Sequence, residues 1–579
     1  MNALLVAINA KYIHINIAVR YLQKFAAPHL SEPPQILEMT INNRTDQILD
    51  EIFRHDPQVL LFSTYIWNVR MVQDLAREYR KICPDVLIAA GGPEVSYEST
   101  AFLRENPAFG LVLYGEGEKT FSQLMQALEQ GEDWTGLSGI TWRSGQSIFQ
   151  NPPQLPLDLS QLPFPYEAQL IAQKDQIKYY ESSRGCPYQC QYCLSSIEKG
   201  VRMAPLDKVF SELRLFIDAK VRQVKFVDRT FNCDRKRALS IWKFLSENDN
   251  GVTNFHFEIT AELLDEEALA FLSTVRPELF QFEIGVQSTN PETLLAIRRQ
   301  NDWEKLCETV NTVKSFRNIH QHLDLIAGLP FEDYDSFHKS FNDVYSLQPE
   351  QFQLGFLKLL KGAGLFRDRE KYGLTARDYP PFEILSTPAL PYEDVLRLKA
   401  VEEMVEQYYN SGRFVHTLRW LFTRMDDPFL FYQQLGDRYV ENRLHLSSQS
   451  LESAYSFFYE FAASLPYVNG ETLAQYLKLD YCLHQRPKRF PAWYPGPDAV
   501  RLRRDCIAFL TEEENRQRYL PQQKEPDPQK LYKLCWFEPF SFDILSREDS
   551  PCVLLFDYSR RDLLGNAHAE KVTLPKLAD

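Results

Sequence analysis

The chain has no apolar run near the ~20 residues needed to span a bilayer. Its opening, Met1-Asn-Ala-Leu-Leu-Val-Ala-Ile-Asn9, lacks the basic start and small-residue cleavage site of a signal peptide. A soluble, cytoplasmic protein without a membrane span is therefore expected. Positive charge is also short: 64 Lys and Arg against 78 Asp and Glu give a formal net charge of −14. That balance disfavours a broad phosphate-binding surface and argues against nucleic acid as a partner. Cysteine is sparse, ten in 579 residues, and thiols in such a compartment stay mostly reduced. Seven of them, Cys83, Cys233, Cys307, Cys482, Cys506, Cys535 and Cys552, stand far apart and read as small apolar packers. The length exceeds what one core supports and implies roughly two to four domains.

The other three cysteines lie together in Glu181-Ser-Ser-Arg-Gly-Cys-Pro-Tyr-Gln-Cys-Gln-Tyr-Cys193. Cys186, Cys190 and Cys193 give three thiolates from one loop, one ligand short of a full cluster cage. On a [4Fe-4S] cube that leaves the fourth iron open to a small chelating molecule. The spacing points to a reactive cluster, not a plain electron carrier.

Residues 1–135 alternate apolar strands (Leu4 to Asn9, Ile36 to Thr40, Val59 to Ser63, Val86 to Ala90, Leu111 to Tyr114) with amphipathic helices such as Asn16 to Phe25 and Val69 to Ile82. This predicts a doubly wound, Rossmann-like α/β domain that binds its ligand in the crevice at the strands' carboxyl ends. The loops there carry His14, Ser63, Thr64, Gly91, Gly92 and Glu116. A hairpin turning at Ser144-Gly145-Gln146 and a proline-rich connector fill 136–165, and a domain boundary belongs there.

Over 166–375 the alternation resumes with six strands: Lys178 to Ser183, Gln223 to Asp228, Asn254 to Thr260, Phe280 to Gln287, His320 to Ile326 and Gln351 to Phe356. One face of these strands is polar. Phe255, Phe257 and Ile259 oppose His256, Glu258 and Thr260; Phe282, Ile284 and Val286 oppose Glu283, Gly285 and Gln287; Leu323 and Leu325 oppose His320, His322 and Asp324. Helical crossovers cover the outside of such a sheet, so the polar face lines the lumen of a partial barrel. There Glu258, Glu283 and Asp324, with His256 and His322, are candidates for proton or hydrogen transfer. Residues 376–579 read as a mostly helical domain with one isolated strand, Val553 to Tyr558, and no motif that carries chemistry.

These features together resemble the cobalamin-binding radical SAM enzymes, over residues 1 to about 375. The resemblance rests on the cysteine signature with Tyr192 before its third cysteine, Gly115-Glu-Gly-Glu118, Val224 to Asn232, Glu283-Ile-Gly-Val-Gln-Ser288 and Ile326-Ala-Gly-Leu-Pro330. Leu357-Lys-Leu-Leu-Lys-Gly362 and Pro380 to Leu385 resemble a subgroup whose C-terminal domain has no assigned function. It implies a [4Fe-4S] cluster on the three cysteines and S-adenosylmethionine on the fourth iron. One electron from the cluster splits the sulfonium to give methionine and a 5′-deoxyadenosyl radical. Tyr192 and Ile326 to Gly328 would lie near the adenine, Gln287 and Ser288 near the ribose, and Asp228 near the methionine moiety. The first domain would hold cobalamin. His14 sits where a lower axial histidine would, but the Asp expected two residues before it is Tyr12 and the Gly three after is Ile17. A loop contact is the reading taken for it. The function implied is methyl transfer to an unactivated carbon of a small-molecule or peptide substrate, fed by an electron donor such as flavodoxin or ferredoxin. Rearrangement, cyclisation or oxidation is the alternative, and a non-catalytic cofactor sensor is the reading from another class.

Overall fold

The computed structural model of the chain describes residues 1–198, 200–488, 490–494, 499–561 and 565–574. It comprises two compact units, residues 1–340 with 355–392, and residues 341–354 with 393–579.

The first unit opens with a seven-stranded sheet. Strands β1 (Ala3–Asn9), β2 (Gln35–Thr40), β3 (Val59–Ser63), β4 (Leu87–Gly91) and β5 (Leu111–Leu113) pair in parallel in the order 2-1-3-4-5. The central strands are buried at every position because both faces are covered. Leu4, Val6 and Ile8 join one apolar layer with Phe62 and Val72; Ala3, Leu5 and Ala7 join the other with Leu61 and Phe121. Asn16 starts the helix Ile17–Ala26 by accepting from Val19 N. The hairpin β6 (Ile140–Ser144) and β7 (Ser147–Gln150) adds antiparallel to β5. It extends the first sheet, so the connector proper is the proline-rich stretch that follows it.

A second sheet of six strands has the order β15-β14-β13-β12-β11-β8: β8 (Lys178–Tyr180), β11 (Gln223–Phe226), β12 (Asn254–Ile259), β13 (Phe280–Gln287), β14 (His320–Ala327) and β15 (Gln351–Phe356). Strands β8 and β11 to β14 pair in parallel. Their apolar face is buried, with Trp242 of the helix Arg235–Glu247 packed on Phe257 and Phe282. Along β13 buried and part-open residues alternate strictly, leaving Gln281, Glu283, Gly285 and Gln287 on the opposite face. The stretch expected as a single strand, Lys178 to Ser183, breaks after Tyr180. From Ser183 the chain turns into a separate antiparallel hairpin, β9 (Ser183–Cys186) with β10 (Gly200–Met203).

In the second unit, helices such as Leu451–Ala463 and Gly470–His484 precede a three-stranded antiparallel sheet, Cys535–Phe540, Cys552–Arg561 and Ala567–Val572. The strand expected to stand alone is the centre of that sheet. Its neighbours carry a proline and a charged alternation that hide their extended character. Among the described residues no helix is long and apolar enough to cross a membrane.

Candidate functional site

The cysteine loop is hung on the β9–β10 hairpin. Gly185 takes φ 92°, and a Cβ there would stand 2.2 Å from Gly200 O, so only glycine permits the pairing that ends at Cys186. All three thiols are free. Cys186 Sγ lies 3.5 Å from Thr230 Oγ1, and Cys190 Sγ lies 3.9 Å from Arg299 Nη1. Burial pushes the Cys190 thiol up, and the Arg299 guanidinium works against that rise. Among the described residues no three His, Cys, Asp or Glu side chains converge on a site for a single ion.

Arg299 was not among the residues expected from sequence. It sits in the turn after the helix Pro291–Ala296, bonds Tyr192 Oη at 3.1 Å and reaches the Gly285 carbonyl. Gln287 ends β13 with φ 72°, at a break in register. A Cβ on Gly285 would meet Gln287 Nε2 at 2.2 Å and Arg299 Nη2 at 3.6 Å, so the two side chains converge over that glycine. Arg299 Nε and Gln287 Oε1 are both buried without a hydrogen-bond partner. A buried donor and acceptor left open beside the cysteine loop suit a polar ligand. Next to them Tyr192 and Ile326 share an apolar cluster with Ile384, which packs against Gly328 (φ 84°).

Several expected contact residues are committed to the protein itself. Asp228 is fully buried and accepts from Ser182 N, Ser182 Oγ and Ser183 Oγ at 2.9, 2.6 and 2.6 Å. It fixes the chain ahead of the hairpin. Ser288 is likewise buried and donates to Glu332 Oε1 at 2.6 Å, so of the expected ribose pair only Gln287 has a free atom. His14 Nδ1 lies 2.6 Å from Tyr179 Oη, and burial holds its pKa down. Ser63 Oγ accepts from Asn16 Nδ2, Thr64 N donates to Gly91 O, and Gly92 (φ 114°) presses on the Thr64 carbonyl, where a Cβ would come within 2.5 Å. Those four residues build the crevice floor. Above it the loops after β1 and β3 leave Tyr12, Ile13 and Trp67 exposed, with Trp67 stacked on Tyr65 at 4.4 Å. Exposed aromatics at this edge fit the apolar face of a large planar group.

Glu116 belongs to an ion-pair network at the cysteine hairpin. Arg184, two residues before Cys186, lies 2.5 Å from Glu118, 3.0 Å from Glu181 and 3.4 Å from Glu116, while Arg202 of β10 pairs with Glu116. The Gly-Glu-Gly-Glu segment thus clamps the cysteine hairpin to the first sheet.

On the polar face, register places Glu258, Glu283 and His322 side by side on adjacent strands. Glu283 Oε2 receives both Lys225 Nζ and His256 Nε2 at 2.9 Å. Burial opposes its ionised form, but these partners hold its pKa well below the usual carboxylate range. Burial pushes Glu258 up to about 7, since Arg229 at 3.8 Å offsets it only in part. His322 Nε2 lies 2.8 Å from Asp324 Oδ1. Burial raises Asp324; His322 is raised because the carboxylate outweighs its burial. Burial pushes His320 down to about 4.

Three family profiles match in series: B12 binding domain over residues 3–125, Radical SAM superfamily over 180–344, and Protein of unknown function (DUF4080) over 370–556. The chain is a cobalamin-binding radical SAM protein. Its C-terminal part is a DUF4080 domain. A carbapenam relative, the 2-(S-pantetheinyl)-carbapenam-3-carboxylate methyltransferase of Streptantibioticus cattleyicolor, is 26% identical over 380 residues, 60% of this chain and 54% of that protein. The cobalamin-dependent radical SAM methyltransferase TokK of Streptomyces tokunonensis is 25% identical over 487 residues, 75% of this chain and 69% of that one. The chain thus spans little more than half of the first relative's length. Among solved structures, the cobalamin-dependent S-adenosylmethionine radical enzyme OxsB with aqua-cobalamin bound shares the fold, with TM-score 0.58, 12% identity and coverage of 83% of this chain and 79% of that one.

Proposed function

We propose that the chain holds a [4Fe-4S] cluster on Cys186, Cys190 and Cys193, binds S-adenosylmethionine beside it and cobalamin at the carboxyl edge of the first sheet, and methylates an unactivated carbon of a small-molecule or peptide substrate. When bound, these groups supply a one-electron cleavage of the sulfonium and a carried methyl group. The observation that carries the reading is the buried, unpartnered pair Arg299 Nε and Gln287 Oε1 at the cysteine loop. A guanidinium there complements a carboxylate, and an amide oxygen complements an ammonium or hydroxyl. Tyr192 and Ile326 supply the apolar side of the same recess. The Arg184 clamp fixes the hairpin relative to the first sheet, which sets the separation of the two cofactor positions.

In the lumen, Lys225 and His256 keep Glu283 ionised as a fixed anion, while Glu258 holds a proton on its carboxyl near neutrality and can release it. A reduced carrier such as flavodoxin or ferredoxin would supply the electron. The test is anaerobic incubation of the reconstituted protein with S-[methyl-D3]-adenosylmethionine and a reductant, read by mass spectrometry. Labelled methyl on the cobalamin with S-adenosylhomocysteine released, and methyl-labelled methionine with 5′-deoxyadenosine from separate S-adenosylmethionine molecules, is the expected result. Release of the nucleoside with no label on cobalamin would favour cyclisation or oxidation, and release of neither would leave a sensor.

A further inference from the structure

We infer that the DUF4080 domain carries a binding site for a small α-amino acid, in a cavity of about 300 Å³. That volume lies at the small end of ligand pockets. The helix Tyr392–Met404 runs on into a π-helical turn, Val405–Asn410, a rare geometry that recurs at functional sites. Asn410 fixes the end of that turn, accepting from Phe352 N at 2.9 Å and donating to Phe352 O at 2.8 Å. Glu403 and Gln407 line the cavity from this stretch, and Arg413 lines it from the loop that follows. The Arg413 backbone is pinned: its N–H donates to Ser411 Oγ at 3.3 Å, and its carbonyl accepts from Tyr455 Oη at 2.9 Å. Exposed Ser447, Ser448 and Ser450 border the cavity, so a small molecule reaches it without crossing the core.

Arg413 Nε is buried without a hydrogen-bond partner. Among the described residues its guanidinium has no carboxylate partner at all. Glu403 accepts from Tyr439 Oη at 3.0 Å through Oε1, which leaves Oε2 open, and among the described residues it pairs with no cation. These two are the only charged side chains on the wall among the described residues, and no ion pair joins them. Opposite charges held apart in one small cavity complement a molecule that carries both. The guanidinium suits a carboxylate, and the open carboxylate oxygen suits an ammonium. Gln407, whose amide has no protein partner among the described residues, can bond either group. Phe414 and Ala454, both buried, supply an apolar patch of the same wall. A carboxylate and an ammonium on one small molecule with a short apolar group describe an α-amino acid. The site shares no residue with the cysteine loop or the first sheet, so its occupancy can be measured whatever the loading of cluster and cobalamin.

The test is isothermal titration and thermal melting of the full-length protein with the proteinogenic L-α-amino acids as probes, beside acetate and ethylamine, which carry one of the two charges each. At least one amino acid should bind with a Kd below about 1 mM and raise the melting temperature. Acetate and ethylamine should each bind at least about 10-fold more weakly. Arg413→Met and Glu403→Gln should each weaken amino-acid binding by about 10- to 100-fold, the loss expected for a hydrogen bond to a charged group. Without ligand, Arg413→Met should melt with the parent, because the guanidinium bonds no protein group there. No amino acid binding below about 1 mM overturns the inference. So does acetate or ethylamine binding as tightly as the acid, or amino-acid binding that survives both substitutions. An unliganded Arg413→Met protein that fails to fold or melts well below the parent gives the arginine a structural role and also overturns it.

Discussion

Replacing Arg184 by methionine tests whether the clamp is structural. The guanidinium is 13% exposed and faces three carboxylates at 2.5, 3.0 and 3.4 Å. At an effective dielectric of about 20, each contact is worth roughly 5–7 kcal/mol of gross attraction. Desolvation and repulsion among the carboxylates cancel most of that. Removing one partner of a buried ionic group nevertheless costs about 3–5 kcal/mol, because the others remain buried and unpaired. Methionine matches the length of the arginine stem, so the loss isolates the charge. Only Glu116 keeps a cation, Arg202. Local opening of β9 and of the first turn of the helix Gly117–Gln130 should then become easier by about 10²- to 10³-fold, one decade per 1.4 kcal/mol. Amide hydrogen exchange followed peptide by peptide reads this directly and needs no two-state assumption.

The variant also has a pH signature. Buried carboxylates without a counter-charge have folded pKa values above the ~4.3 of an unfolded glutamate. Their neutral form therefore favours the folded state, and that contribution is lost as pH rises through the folded values. The deficit of Arg184→Met should shrink between pH 7 and pH 5. Exchange within threefold of the parent at pH 7, or a deficit that grows on acidification, would refute the clamp.

Gly185→Ala should lose most of the iron while keeping all three cysteines, because the added methyl meets Gly200 O at 2.2 Å; an iron content equal to the parent's would show that the hairpin does not depend on this glycine. Cys233→Ala should keep its iron, since Cys233 stands outside the loop in the turn Phe231–Cys233. Glu258→Gln should leave the melting temperature unchanged near pH 4 and raise it at pH 8. Glu258 is raised to about 7 from 4.5, so its neutral form stabilises the fold below 4.5 and that stabilisation is lost as pH rises through 7. A thermal scan in which the glutamine variant melts lower at pH 8 would contradict this assignment.

How much of this was legible depended on the range of the interactions. Period-two alternation is local, so Phe255, Phe257 and Ile259 against His256 and Glu258 could be read directly; burial alternates strictly along Phe280–Gln287, whereas His256 is buried with its apolar neighbours. The cysteine triplet was legible because spacing alone defines it. Asp228 and Ser288 were placed by their strand ends, yet their side chains turn to Ser182, Ser183 and Glu332, partners that a strand position does not reveal. Arg184 and Arg299 were missed for the same reason. The carboxylates of Arg184 at positions 116 and 118 lie more than sixty residues away, and Arg299 meets Cys190 across more than a hundred. An arginine pair at 298 and 299, just after a helix and otherwise unexplained, was the one signal in the sequence.

The central claim is that one loop builds the cluster while the first sheet holds the cobalamin independently. Iron and cobalt in the anaerobically reconstituted protein, measured beside the triple variant Cys186→Ala, Cys190→Ala and Cys193→Ala, test it most directly. The expected result is about four irons and one cobalt per chain for the unaltered protein, with iron lost and cobalt retained in the variant. A variant that keeps its iron, or an unaltered protein that takes up iron but no cobalt when supplied with cobalamin, would contradict it.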